Sequence, residues 1–200
     1  GDSEKIRGEE FRRIYMELVL NEDLVVDVGA SNAEAFFEGL SSFSRGYDEV
    51  DLFVIPTVPG AKEQAESILT ARMLAAMGVE KNKIKIVFNR VKRSVEDEFP
   101  DILNAATALD CFVANPECMV FENDIYADLA DLKLPLSEAC ILAANSLEKL
   151  KGDLKKFARD PDKYSLFVKK VCVAKKAQIT FEQLDSAFQA LFCEVDDAKL

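Results

Sequence analysis

Four short sets of residues carry groups able to do chemistry, and each follows an apolar run. They are Asp27 with Gly29 and Ser31, Thr57 to Gly60 with Pro59 inside, Asn89 with Arg90, and Asn115 with Pro116. Asp27 interrupts the run 24–28 one step before its end. A carboxylate at the tip of a buried strand is a common way to hold Mg²⁺, often through water. Gly29 lets a backbone come close to a phosphate. A second assignment stands beside this one: Asp27 caps the helix that follows, or pairs with a neighbour. Asn89 presents a carboxamide, which offers a donor and an acceptor and suits the edge of a purine. Asparagine also favours turns for local reasons, so both readings of Asn89 remain open. Asp51 lies near the start of its run and has no catalytic role.

Elements that alternate in type must position these groups. Apolar residues recur at helical spacing over 8–20. The run 24–28 reads as a strand covered on both faces, followed by a helix over 33–40. A strand over 50–57 turns at Pro59 and Gly60 into a helix over 62–77, with Gly78 as its C-cap. A third strand over 84–88 stops at Asn89 and Arg90. A helix over 95–108 is broken or kinked at Pro100. A fourth strand over 111–114 ends at Asn115 and Pro116. A helix follows over 135–150, and a last one over 180–193. Strands alternating with helices predict an α/β fold, an open and mostly parallel sheet flanked by helices. Ligands of such sheets bind beyond the carboxyl ends of the strands. All four sets would then line one edge.

Composition removes several chemistries. The 200 residues contain no histidine, which excludes His-based triads and haem with a proximal His. The five cysteines form no CxxC pair and read as reduced, mostly buried thiols of a cytoplasmic protein. The net charge of −11 argues against a general DNA coat. No apolar run approaches the ~20 residues needed to span a bilayer, so no transmembrane segment is expected. Residues 1–5 are polar and do not read as a signal peptide. Residues 148–176 carry ten basic and four acidic side chains, a local charge of +6 within an acidic chain. This sets residues 151–200 apart as a C-terminal extension, a basic segment and then a helix, packed on the α/β domain of 1–150. The basic stretch 149–176 is a possible contact surface, although most charge runs are solvated faces. None of the eight glycines opens GxxxxGK[ST], and no GxGxxG occurs.

Three segments together resemble the ParA/MinD-type ATPases, the deviant Walker A branch of the P-loop NTPases. They are Leu24-Val25-Val26-Asp27-Val28-Gly29-Ala30-Ser31, Asp51-Leu52-Phe53-Val54-Ile55-Pro56-Thr57-Val58-Pro59, and Ile84-Lys85-Ile86-Val87-Phe88-Asn89-Arg90-Val91. The resemblance covers roughly residues 1–150. It implies ATP and Mg²⁺ as cofactors, with Asp27 as the acidic residue that orders the metal and the attacking water. It implies that Gly29 lies in a loop sensing the γ-phosphate. Thr57 and Pro59 would lie beside the nucleotide or a dimer partner. Asn89, with Arg90 next to it, would contact adenine, and the loop at Asn115 and Pro116 would close over the base. It further implies a homodimer formed on ATP binding. The partner would be a plasmid-encoded DNA-binding adaptor or DNA itself, and the function ATP hydrolysis in plasmid stability or partition. The family's first strand, phosphate loop, helix and second strand have no counterpart here. The resemblance therefore implies that a piece of βαβ size, about 30 residues or more, is missing from these 200, and that turnover requires it. The alternative function is a non-catalytic α/β adaptor that binds a protein or DNA partner.

Overall fold

A computed structural model describes residues 8–192. Residues 1–7 and Cys193 lie outside the described residues. The elements run α1 (Gly8–Leu20), α2 (Ala33–Ser41), β1 (Phe53–Thr57), α3 (Ala61–Ala76), β2 (Ile84–Val91), α4 (Val95–Glu98), α5 (Pro100–Leu109), β3 (Met119–Phe121), α6 (Ile125–Leu132), α7 (Leu136–Lys156) and α8 (Pro161–Phe192). The result is a mixed α/β arrangement with a small three-stranded parallel sheet in the order β1-β2-β3. Among the described residues no helix is long and apolar enough to cross a membrane.

The chain forms two contact units, each assembled from separate segments. The first takes the residues up to Pro56, then Ala61–Ile86 and Asp101–Ala114. In it α1 lies on α2, with the Phe11 ring edge-on to Phe36 at 5.6 Å and Tyr15 stacked on Phe43 at 4.0 Å. Gly39 permits this approach, since a Cβ there would stand 2.3 Å from the Phe11 ring. Helix α3 ends as the sequence predicts. Gly78 at φ 100 donates to Ala75 O at 3.0 Å, and Val79 N donates to Leu74 O at 3.2 Å. This two-bond pattern closes a helix on a glycine. Buried Gln64 of α3 accepts from the N–H groups of Asp101 and Ile102, which open α5.

Two expected strands are corrected in this unit. Residues 24–28 adopt no regular structure, and Val25 is 94 % exposed. A run of this kind becomes a strand only beside a partner that completes its hydrogen-bond ladder, and it is absent from the sheet. Residues 111–114 contribute one parallel bridge, Val113 opposite Lys85, with Val113 N donating to Ile84 O at 2.8 Å. The strand that completes the sheet is β3, which comes later in the chain.

The second unit takes Thr57–Gly60, Val87–Pro100 and the residues from Asn115 onward. Strand β2 does not stop at Asn89 but continues to Val91 through a bulge. Asn89 faces Val120, Val91 faces Phe121, and Arg90 between them adopts φ 60. The helix expected over 95–108 divides at Phe99. Ser94 caps α4 by accepting from Asp97 N, and Pro100 takes the first position of α5, where its missing N–H costs nothing. Helices α6, α7 and α8 close around Ile125, Leu129, Ala139, Val173 and Ala177. The expected last helix over 180–193 is the tail of a much longer one. Residue 150, where the sequence changes character, lies inside α7. Of the free thiols, Cys118 is buried and Cys172 exposed, so burial of most thiols is not general.

Candidate functional site

Parallel β2 and β3 end at the same edge, and α8 packs against β3 in the second unit. At the end of β2 the bulge turns Arg90 N–H onto its neighbour's side chain, donating to Asn89 Oδ1 at 2.9 Å. Glu122 N continues the ladder one residue past β3 by donating to Val91 O at 2.9 Å. The Glu122 carboxylate meets Lys92 Nζ at 3.2 Å. Asn123 then does two jobs. Its Oδ1 accepts from Ile125 N, the first residue of α6, and its Nδ2 donates to Thr180 Oγ1, each at 3.1 Å. Thr180 in turn donates to Lys176 O at 3.0 Å.

These residues enclose a groove of about 1140 Å³. Its strand side is Asn89, Arg90, Val120 and Phe121, and its α8 side is Lys176, Ile179, Thr180, Gln183 and Leu184. The start of α6 adds Asp124, Tyr126 and Ala127. Lys176 holds Asp124 in an ion pair, which keeps the Asp124 carboxyl below the ordinary range and lifts the lysine above its own. Partial burial raises the Tyr126 phenol. The groove is open to solvent, and polar and charged side chains alternate along it with the apolar surface of Val120, Phe121, Ile179 and Leu184.

Of the residues singled out from the sequence, the structure brings Asn89 and Arg90 into this groove. Thr57, Pro59, Asn115 and Pro116 do not line it. The Asn115 amide is engaged at both ends, donating to Ala190 O at 3.2 Å and accepting from Glu117 N at 3.1 Å. It ties a loop to α8. Thr57 is 2 % exposed, and its Oγ1 has no hydrogen-bond partner among the described residues. Asp27 and Gly29 belong to the first unit, in the irregular stretch before a short 3₁₀ turn, and Asp27 is exposed. Asp27 caps neither this turn nor α2 with its side chain. Sequence reasoning missed Glu122, Asn123, Asp124, Tyr126 and the face of α8. The spacing of Lys176, Thr180, Gln183 and Leu184 is the available signal, for it puts them on one helix face.

Among the described residues no group of three or more carboxylates and thiols is gathered to hold a metal. Mg²⁺ arriving with a nucleotide needs only one or two protein carboxylates, so this arrangement does not bear on it. No protein-family model, curated protein or solved structure matches the chain.

Proposed function

We propose that this groove takes the base of an adenine nucleotide, and that the chain acts as a ParA/MinD-type nucleotide-binding protein in plasmid stability or partition. The observation that carries the reading is the position of Asn89 and Arg90 in a groove at the carboxyl ends of parallel strands. Phe121, Ile179 and Leu184 offer apolar surface to a flat ring. Asn89 Nδ2 has no partner among the described residues and can donate to a ring nitrogen. The Arg90 guanidinium forms no ion pair there and can meet an anionic group.

Mg²⁺, when bound with ATP, neutralises charge on the phosphate oxygens. The resemblance gives this metal to Asp27, which is exposed in the first unit, and no contact between it and the groove is assigned. The Walker A pattern is absent from the sequence, so no hydrolytic step is assigned to these residues. An ATP-dependent homodimer working with a DNA-binding adaptor completes the reading.

Titration calorimetry with ATP tests it. We expect Asn89→Ala to weaken ATP binding about five- to tenfold, the effect of one directed hydrogen bond and some packing. Absence of ATP binding at millimolar concentration, or indifference to Asn89→Ala, would refute the reading.

The non-catalytic adaptor is favoured by a separate observation. Lys149, Lys156, Arg159 and Lys170 form no ion pair among the described residues, and all lie near the α7–α8 connection. There Phe157 stacks on Phe167 at 5.4 Å, with Lys156 and Lys163 over the first ring and Lys170 over the second. A polyanionic partner would meet this end of the hairpin.

A further inference from the structure

We propose that Gln183 reads the 6-amino group of the base, an inference that rests on the adenine reading of the same groove. Asn123 and Thr180 are engaged as both donors and acceptors. Asp124 is paired with Lys176, and Glu122 with Lys92. Asn89 Oδ1 is held by Arg90 N–H, so Asn89 offers a ligand only its donor end. The 6-amino group of adenine is itself a donor and needs an acceptor, which Asn89 does not supply.

Gln183 lines the groove from α8, is half-buried, and forms no hydrogen bond among the described residues. Its Oε1 accepts and its Nε2 donates. A carboxamide of this kind meets adenine with two parallel bonds, one from the 6-amino group and one to the adjacent ring nitrogen. Residues at 179, 180, 183 and 184 share one face of α8, so Ile179 and Leu184 flank the amide with apolar surface. Tyr126 also lines the groove without a side-chain hydrogen bond among the described residues, and its phenol oxygen is the competing acceptor, whereas the Arg90 guanidinium can only donate.

The test compares ATP with purine riboside 5′-triphosphate, which lacks only the 6-amino group. Affinities are read by ligand-observed NMR on the whole chain, as wild type, Gln183→Met and Tyr126→Phe. Methionine keeps the length and helix preference of glutamine and removes both hydrogen-bonding ends. The wild type should prefer ATP about three- to tenfold, the range for one hydrogen bond. Gln183→Met should bring the two ligands to equal affinity, with the analogue also weakened by loss of the bond to the ring nitrogen, and an unchanged melting temperature shows the chain intact. Tyr126→Phe should keep the preference. Equal binding of both ligands by the wild type would overturn the role of Gln183 and leave the nucleotide reading standing. Loss of the preference in Tyr126→Phe, or its persistence in Gln183→Met, would also overturn it. Binding of neither ligand would overturn both.

Discussion

Asn123 Nδ2 donates to Thr180 Oγ1 at 3.1 Å, and this bond joins the segment after β3 to the middle of α8. Thr180 is 2 % exposed, and Asn123, whose amide would lose its acceptor, is half-buried beside the groove. Thr180→Val keeps the shape and removes the acceptor. We expect a loss of about 1–3 kcal/mol, seen as a melting temperature lower by about 2–4 °C for each kcal/mol. Thr180→Ser should restore most of it. Equal melting points for wild type and Thr180→Val would show the bond to be dispensable.

Gly78 is the second test of stability. Its φ of 100 suits glycine alone, and a Cβ there would stand 2.7 Å from the Tyr47 hydroxyl. Gly78→Ala should cost at least about 1 kcal/mol in chemical denaturation. Gly29→Ala is the matched control. Nothing lies within 4 Å of a Cβ at that position, and φ is −60, so stability should be unchanged or slightly higher.

Pairs between α6 and α8 give a pH dependence of known sign. Lys176 lowers the Asp124 carboxyl from its ordinary 3.8, and Asp131 raises the Lys169 ammonium from its ordinary 10.5. A lowered carboxyl contributes stability that is present above the ordinary value and is lost as pH falls through the folded one. A raised lysine contributes stability that is present below its ordinary value and is lost as pH rises through the folded one. The pairs therefore act in full between about pH 5 and pH 9 and fade outside that window. Urea midpoints of wild type and Lys169→Ala/Lys176→Ala should differ at pH 7, and the difference should narrow steadily as pH falls below the ordinary carboxyl value of 3.8. Because the groups are exposed, 1 M salt should also shrink the difference. A gap that does not narrow in acid would point to packing by the lysine stems.

The basic end of the α7–α8 hairpin makes the adaptor reading testable by salt. If phosphates are neutralised there, the logarithm of affinity for duplex DNA falls with log salt at about −0.9 for each contact. Lys156→Glu/Arg159→Glu/Lys170→Glu should then flatten the slope by about 3 and weaken binding more than tenfold at low salt. An unchanged slope in the triple variant would remove this surface from consideration.

Helices and strands with strong periodicity were legible in the residues. Helices α1, α2 and α3, strands β1 and β2, and the break at Pro100 all follow from apolar spacing and from glycine or proline signals. The run 24–28 misleads because an apolar stretch signals a strand only where a neighbour exists to pair with it. Strand β3 was hidden by its length of three residues. Most of α8 was hidden by its lysines. Its buried positions include Val171, Val173 and the small residues Ala174, Ala177, Ala187 and Ala190, which leave little hydrophobic contrast in the sequence. At the site, Asn89 and Arg90 were visible as polar residues following an apolar run. Asn123, Thr180 and Gln183 were not, because they come to line one groove only once α8 packs against β3.

One continuous helix carries two of the features above. The stacked Phe157–Phe167 end of the hairpin and the groove wall at Lys176 to Leu184 share α8, which has no interruption between them. At 1.5 Å per residue, Phe167 and Gln183 stand about 24 Å apart along the axis. A straight helix transmits displacement as a lever does. A load that tilts the hairpin end tilts the groove wall by the same angle, and a molecule seated in the groove resists that tilt with its own binding energy.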